Sequence, residues 1–179
     1  MMGGLGPQVW DLVQKWTPSE VYDHENKYQT ELRDFLDQQL NESNGGGMGL
    51  GMDGGGGGGF GMGGGSGGYA VSKERGTAYG DVVVNDTVGI ELKRNFSNSQ
   101  KRKLRGQLED YGDNYEFVIA CTCGIEDTDG WREVEQKISG GQRGMMDMTE
   151  YRFEIKRRDN FGTGHGSDDG GILGGGGLF

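Results

Sequence analysis

Glycine constrains this chain more than any other residue. Of its 179 residues, 39 are Gly, where an ordinary globular chain has about 7%. Most fall in two blocks, residues 45–68 and the stretch from 162 onward. Glycine has no side chain to bury and loses the most backbone freedom when ordered. Neither block has hydrophobic periodicity, only scattered Met, Leu and Phe. We expect a disordered insertion at 45–68 and a disordered tail at 159–179. That leaves one foldable domain, residues 17–158, behind an extension at 1–16. A glycine-rich phosphate loop would need the pattern G-x-x-x-x-G-K-[ST], which is absent.

Between the blocks the punctuation is sharp. Val9, Trp10, Val13 and Trp16 recur at helical spacing and predict a short helix. Thr17-Pro18-Ser19-Glu20 combines a capping residue, Pro at the first helical position and Glu three after the cap. It predicts a helix running to about Asn41, with Tyr28, Leu32, Phe35, Leu36 and Leu40 as its buried stripe. Alternation at Tyr69, Val71 and Lys73 predicts a strand. Two β-branched runs, 82–84 and 88–92, flank Asn85-Asp86-Thr87 and predict a hairpin. Ser97-x-x-Gln100 is a capping box opening a helix whose apolar face is Leu104, Leu108 and Tyr111, and Gly112 stops it. The continuous apolar run 115–121 predicts a strand covered on both faces, as in a parallel pair. Thr128-Asp129 caps a helix burying Trp131, Val134 and Ile138, and residues 148–158 alternate as an edge strand. The order helix, three strands, helix, strand, helix, strand implies an α/β fold with a mixed central sheet flanked by helices.

The net charge of −10 argues against a generally basic nucleic-acid binder. It hides a local exception. From Lys93 to Arg105 the charged residues are Lys93, Arg94, Lys101, Arg102, Lys103 and Arg105, with no acid among them. A basic start to a helix is a plausible surface for phosphates. No stretch approaches the roughly 18 apolar residues of a membrane span, and the N-terminus lacks the pattern of a signal peptide. The expected location is cytoplasmic, with no membrane partner. Cys121 and Cys123 are one residue apart, a spacing at which disulfides are strained. With two distant histidines they make no convincing zinc site, and buried thiols are the expectation.

Chemistry concentrates at the hairpin. Side chains alternate along a strand, so Glu91 and Lys93 share one face while Ile90 and Leu92 fill the other. A three-residue loop at Asn85-Asp86-Thr87 would pair Val84 with Val88 and place Asp81 opposite Glu91. A two-residue turn would put Asp81 on the wrong face. Two carboxylates and an amine at one place suit phosphate chemistry, since Mg²⁺ uses one or two carboxylates and completes its shell with water and phosphate oxygens. Lys can hold or help deprotonate an attacking water. The plain alternative is a solvated strand face in a chain that is 26% charged.

Asp81 followed by Glu91-Leu92-Lys93 resembles the PD-(D/E)xK nuclease signature, and Gln107-Leu-Glu-Asp-Tyr111 resembles the Q-x-x-x-Y motif of its RecB-like branch. The resemblance spans about residues 17–138; Gly80 stands where the signature has Pro. It implies a restriction-endonuclease-like core of helix, three strands, helix, strand, and a metal-dependent nuclease acting on DNA. Asp81 and Glu91 would hold Mg²⁺, with Mn²⁺ as a substitute. Lys93 would position the water, Gln107 would orient water or phosphate, and Tyr111 would support it. Glu31, on the first helix, resembles the acid that completes many such sites, as a metal ligand or relay group, with Glu25 as the alternate. Arg94, Lys101, Arg102, Lys103 and Arg105 would contact the nucleic acid. Two cysteines cannot supply the four-cysteine iron–sulfur cluster of some Q-x-x-x-Y nucleases. The competing expectation is a nuclease-like fold serving as a non-catalytic nucleic-acid or protein adaptor with flexible glycine-rich arms. A homodimer, and a protein partner held by the glycine-rich segments, are compatible with either.

Overall fold

The computed structural model describes residues 4–42, 68–73, 80–140 and 148–162. The expected insertion lies outside the described residues except for Gly68, and so does the tail from residue 163 onward. The elements are α1 (Leu5–Lys15), α2 (Glu25–Glu42), β1 (Val71–Ser72), β2 (Val82–Val84), β3 (Val88–Phe96), α3 (Lys101–Gly112), β4 (Phe117–Ile125), α4 (Thr128–Gly140) and β5 (Glu150–Lys156). The five strands form one mixed sheet in sequence order. β1, β2 and β3 are antiparallel neighbours, while β3, β4 and β5 are parallel. Among the described residues, no helix is long and apolar enough to cross a membrane.

The central strands β2, β3 and β4 are buried on both faces, as expected of a sheet covered by helices on each side. On one face α1 and α2 supply Val9, Val13, Trp16, Tyr28, Leu32, Leu36 and Leu40 against Val82, Val84, Ile90, Leu92 and Ile119. The helix of the N-terminal extension, α1, thus packs into the same core as the rest of the domain. On the other face the two crossover helices supply Leu104, Leu108, Tyr111, Trp131, Val134 and Ile138 against Val83, Phe96, Val118 and Ala120. Cys121 and Cys123 are free thiols in the first core, and burial holds the Cys123 thiol well above its ordinary pKa.

Two local expectations fail for tertiary reasons. Thr17-Pro18-Ser19-Glu20 does not open a helix, and α2 begins only at Glu25. The segment instead folds back along α2. Ser19 N–H donates to Glu31 Oε1 at 2.9 Å and Tyr22 N–H to the Tyr28 hydroxyl at 2.9 Å, so donors that a first helical turn would carry are satisfied from outside. The cap of α4 is Asp127, whose Oδ1 accepts from Gly130 N–H at 2.8 Å, one residue before the expected pair.

Near their C-terminal ends β3 and β4 kink side by side. Asn95 has φ 48° and Gly124 φ 86°. The positive φ of Gly124 favours glycine there, and a Cβ would also lie 2.4 Å from Asn95 Oδ1. The paired kinks break the alternation of faces and turn Phe96 onto the second core, with its ring centroid 5.1 Å from that of Trp131.

Candidate active site at the open edge of β3

β2 is three residues long, β3 nine. The hairpin pairs Val84 with Val88, Val83 with Gly89 and Val82 with Ile90. The connection is therefore the three-residue loop, and Asn85 (φ 50°) and Asp86 (φ 51°) take the left-handed conformation it needs. Beyond Ile90 the strand β3 has no β2 residue beside it. The edge left open is closed by two carboxylates. Asp81 Oδ2 accepts from Leu92 N–H at 2.8 Å, and Glu25 Oε2 from Arg94 N–H at 3.0 Å.

Between them lies a buried charge cluster. Glu91 is fully buried and Lys93 is 4% exposed. Lys93 Nζ bonds Glu91 Oε1, donates to the Leu92 carbonyl at 3.1 Å and lies 3.5 Å from Glu25 Oε1. The Tyr111 hydroxyl donates to the other oxygen of Glu91. α3 carries Tyr111 across the sheet face, and one turn earlier it carries Gln107. Gln107 Oε1 is buried with no hydrogen-bond partner among the described residues. An orphaned buried acceptor is costly and unusual, and water or a ligand donor would satisfy it.

The electrostatics are unbalanced. Burial and the neighbouring Glu91 push Asp81 up to about 7, against the pull of Lys93 and of the Leu92 N–H. Burial draws the Lys93 ammonium down, but Glu91, Glu25 and Asp81 outweigh it and hold it above its ordinary value. Burial, then the charge of Glu91, holds Tyr111 well above the usual phenol range, so it stays a donor. Three carboxylates face one ammonium. Buried charge of this kind is poor stabilisation, and perturbed groups gathered in one place are a mark of functional sites.

Of the residues singled out in the sequence, Asp81, Glu91, Lys93 and Tyr111 come together, with Gln107 on the adjoining turn. Glu31 does not join them. Its carboxylate accepts from Trp16 Nε1 at 3.3 Å and from Ser19 N and Oγ at 2.9 and 3.0 Å, pinning the segment before α2. The first-helix acid at the cluster is Glu25. Arg94 reaches it through its main chain, and strand alternation puts its side chain on the α2 face, opposite Glu91 and Lys93.

The basic residues of α3 divide. Lys101, Arg102 and Arg105 line a cleft of about 250 Å³ with Glu133, Val134 and Lys137 of α4. Lys101 and Lys137 both bond Glu133 at 2.6 Å, and they hold its carboxyl down at about 2. At 100° per residue Lys103 falls on the Gln107 side of α3, away from that cleft.

Tyr115 is a support that sequence reasoning passed over. Its hydroxyl accepts from Gly80 N–H at 3.4 Å, just before Asp81, and its ring lies edge-on to Tyr111 at 5.8 Å. The ring occupies the place a Cβ on Gly89 would take, 2.3 Å away. A glycine inside a strand is a known sign of such an approach, and Gly89 was that sign.

Among the described residues, no group of three or more His, Cys, Asp or Glu side chains is arranged to hold a metal ion. A cage made of protein ligands alone is therefore not what the cluster offers. Asp81 and Glu91 are the carboxylates that could contribute to holding a Mg²⁺ ion, which commonly uses one or two carboxylates and keeps several waters. No protein-family model, curated protein or solved structure matches the chain.

Proposed function

We propose that the chain is a metal-dependent nuclease that hydrolyses phosphodiester bonds in DNA, built on a restriction-endonuclease-like core. The observation that carries this reading is the cluster at the open edge of β3. Asp81, just before β2, and Glu91 on β3 gather beside a buried lysine, and α3 carries Gln107 one turn before the tyrosine that holds Glu91. Asp81 and Glu91 would hold Mg²⁺ or Mn²⁺, which when bound neutralises phosphate charge and acidifies water. Lys93 stands within reach of Glu91 and the Leu92 carbonyl, where an ammonium can hold a water or offset negative charge on the phosphoryl oxygens. Tyr111 fixes Glu91 through its hydroxyl. Gln107 supplies an acceptor for a water or a donor on the substrate, and Glu25 keeps Lys93 charged. Hydrolysis adds the water oxygen to phosphorus, breaks one P–O ester bond and delivers a proton of the water to the leaving oxygen.

A second reading has its own support. Asp81, Glu91 and Glu25 each already accept a hydrogen bond from the protein, so the carboxylates are satisfied as they stand. A non-catalytic adaptor that uses these groups to close the β3 edge would look the same. Linear, circular and branched DNA incubated with the purified chain, with and without Mg²⁺ or Mn²⁺, separates the two. Cleavage that requires the cation and is lost in Asp81→Asn, together with a cation-dependent rise in Tm lost in the same variant, supports the nuclease. DNA binding without either effect supports the adaptor.

A further inference from the structure

The far edge of the sheet carries a second message, independent of the site at β3. β5 has a partner strand on one side alone among the described residues. Glu150 N–H donates to Glu116 O at 3.0 Å, so the main-chain groups of Glu150, Arg152, Glu154 and Lys156 face β4. Those of Tyr151, Phe153 and Ile155 face outward, because successive residues of a strand point their backbone bonds to opposite sides.

The side chains along this edge follow a symmetry. Read from Phe153 outward in both directions, Arg152 is matched by Glu154 and Glu150 by Lys156. Each charge has its opposite at the same distance from the centre. We propose that β5 pairs antiparallel with β5 of a second copy of this chain about a two-fold axis at Phe153, joining two sheets into one. Residue pairs in such a register sum to the same number. Phe153 meets Phe153, Tyr151 meets Ile155, Arg152 meets Glu154 and Glu150 meets Lys156. The outward-facing odd residues are those that exchange backbone hydrogen bonds. The charged even residues fall at the non-bonded positions, where opposed side chains lie closest.

No neighbouring register does as well. A shift by two residues in the sum puts Arg152 opposite Arg152 and Glu150 opposite Glu154, or Glu154 opposite Glu154 and Arg152 opposite Lys156. A shift by one opposes charged residues to apolar ones on the wrong face. A two-fold interface must match its own surface, and a strand whose charges reverse sign about its centre does so. The apolar side gains as well. Tyr151, Phe153 and Ile155 are half-buried against the second core, and their exposed parts would be covered by the same residues of the partner copy. Within each chain Arg152 pairs with Glu150 and Lys156 with Glu154 at 3.0 Å; Lys156 is buried with its ammonium on the Gln14 carbonyl at 2.9 Å, so the charge complementarity across the axis is carried by Arg152 and Glu154.

Charges on an edge strand also serve to repel other strands, and the test distinguishes the two roles. Sedimentation equilibrium of the full chain through the micromolar range at low salt should give a dimer. Arg152→Glu, which sets Glu against Glu154 on both sides of the axis, should weaken dimerisation by roughly tenfold or more. The double variant Arg152→Glu/Glu154→Arg should restore it. That swap places like charges beside Glu150 and Lys156 within each chain, so rescue can come only from across the axis. Far-UV circular dichroism checks that each variant is folded, and both positions are partly exposed. A monomeric wild type, a dimer indifferent to Arg152→Glu, or a folded double variant that stays monomeric would each overturn the proposal.

Discussion

Two glutamates on the first long helix have exchanged the roles their positions in sequence suggest. Glu31 anchors Ser19 and Trp16, whereas Glu25 lies against Lys93 and the Arg94 main chain. Glu31→Ala strips the acceptor from several donors and should cost about 2–3 kcal/mol of stability by thermal or urea unfolding, leaving the activity per folded molecule nearly unchanged. Glu25→Gln should do the reverse. It removes a charge that keeps Lys93 protonated while an oxygen remains for the Arg94 N–H, so stability should change little. DNA cleavage in Mg²⁺ should then fall at least severalfold. Equal effects of the two variants on cleavage would return Glu31 to the site.

At the scale of elements, the hairpin decides whether Asp81 faces its partners. β2 is Val82-Val83-Val84, a run whose apolar content is the same on either face, so the valines do not select the register. The loop does. Deleting Asp86 leaves a two-residue connection that still pairs Val84 with Val88, so Asp81 stays opposite Glu91 and a cation-dependent rise in Tm should survive. Deleting Val84 keeps the three-residue loop, pairs Val83 with Val88, slips β2 by one position and turns Asp81 toward the α2 core side. The expected outcome is a folded protein that has lost that rise. A Val84-deletion variant that keeps it would separate cation binding from Asp81. Between α3 and α4, Glu133 clasps Lys101 and Lys137. Its carboxyl is depressed to about 2 in the folded chain and returns to the ordinary range on unfolding. The clasp therefore contributes above the ordinary carboxylate pKa, and its contribution fades as pH falls toward about 2. A carboxyl-carbon NMR titration should place Glu133 near that value, and Lys101→Ala should move it upward.

The whole molecule is strongly acidic, with a net charge of −10, so nucleic acid can approach only where that field is locally reversed. Lys101, Arg102 and Lys103 open α3 on its exposed side, though Glu133 partly neutralises Lys101. Reversing all three should weaken DNA binding similarly for every sequence and flatten the plot of log K against log salt, each lost phosphate contact removing a slope of about 0.9. Restoring charge by Glu133→Gln should steepen it. An unchanged slope in the triple reversal would place the nucleic acid elsewhere on the molecule.

Much of this was legible in the chain because it is local. The apolar stripes of α2, α3 and α4, the Ser97 capping region, the buried run of β4 and the alternation of β5 are written at periods of 3.6 and 2, which side-chain burial imposes on any fold. The convergence of Asp81 with Glu91 and Lys93 was readable for the same reason, since a three-residue loop and strand alternation determine which faces meet. What residues 17–24 do was not readable. Thr17-Pro18-Ser19-Glu20 has a helix signature, yet Glu31 and Tyr28 reach across from α2 and satisfy its donors instead. The choice of Glu25 over Glu31 was equally hidden, because both lie near one helical stripe and only the position of the helix start against the β3 edge separates them. The role of Tyr115 depended on Gly89 leaving room for its ring. Local periodicity determines which elements form; only their packing decides which polar group satisfies which, since that depends on distances between segments far apart in the chain.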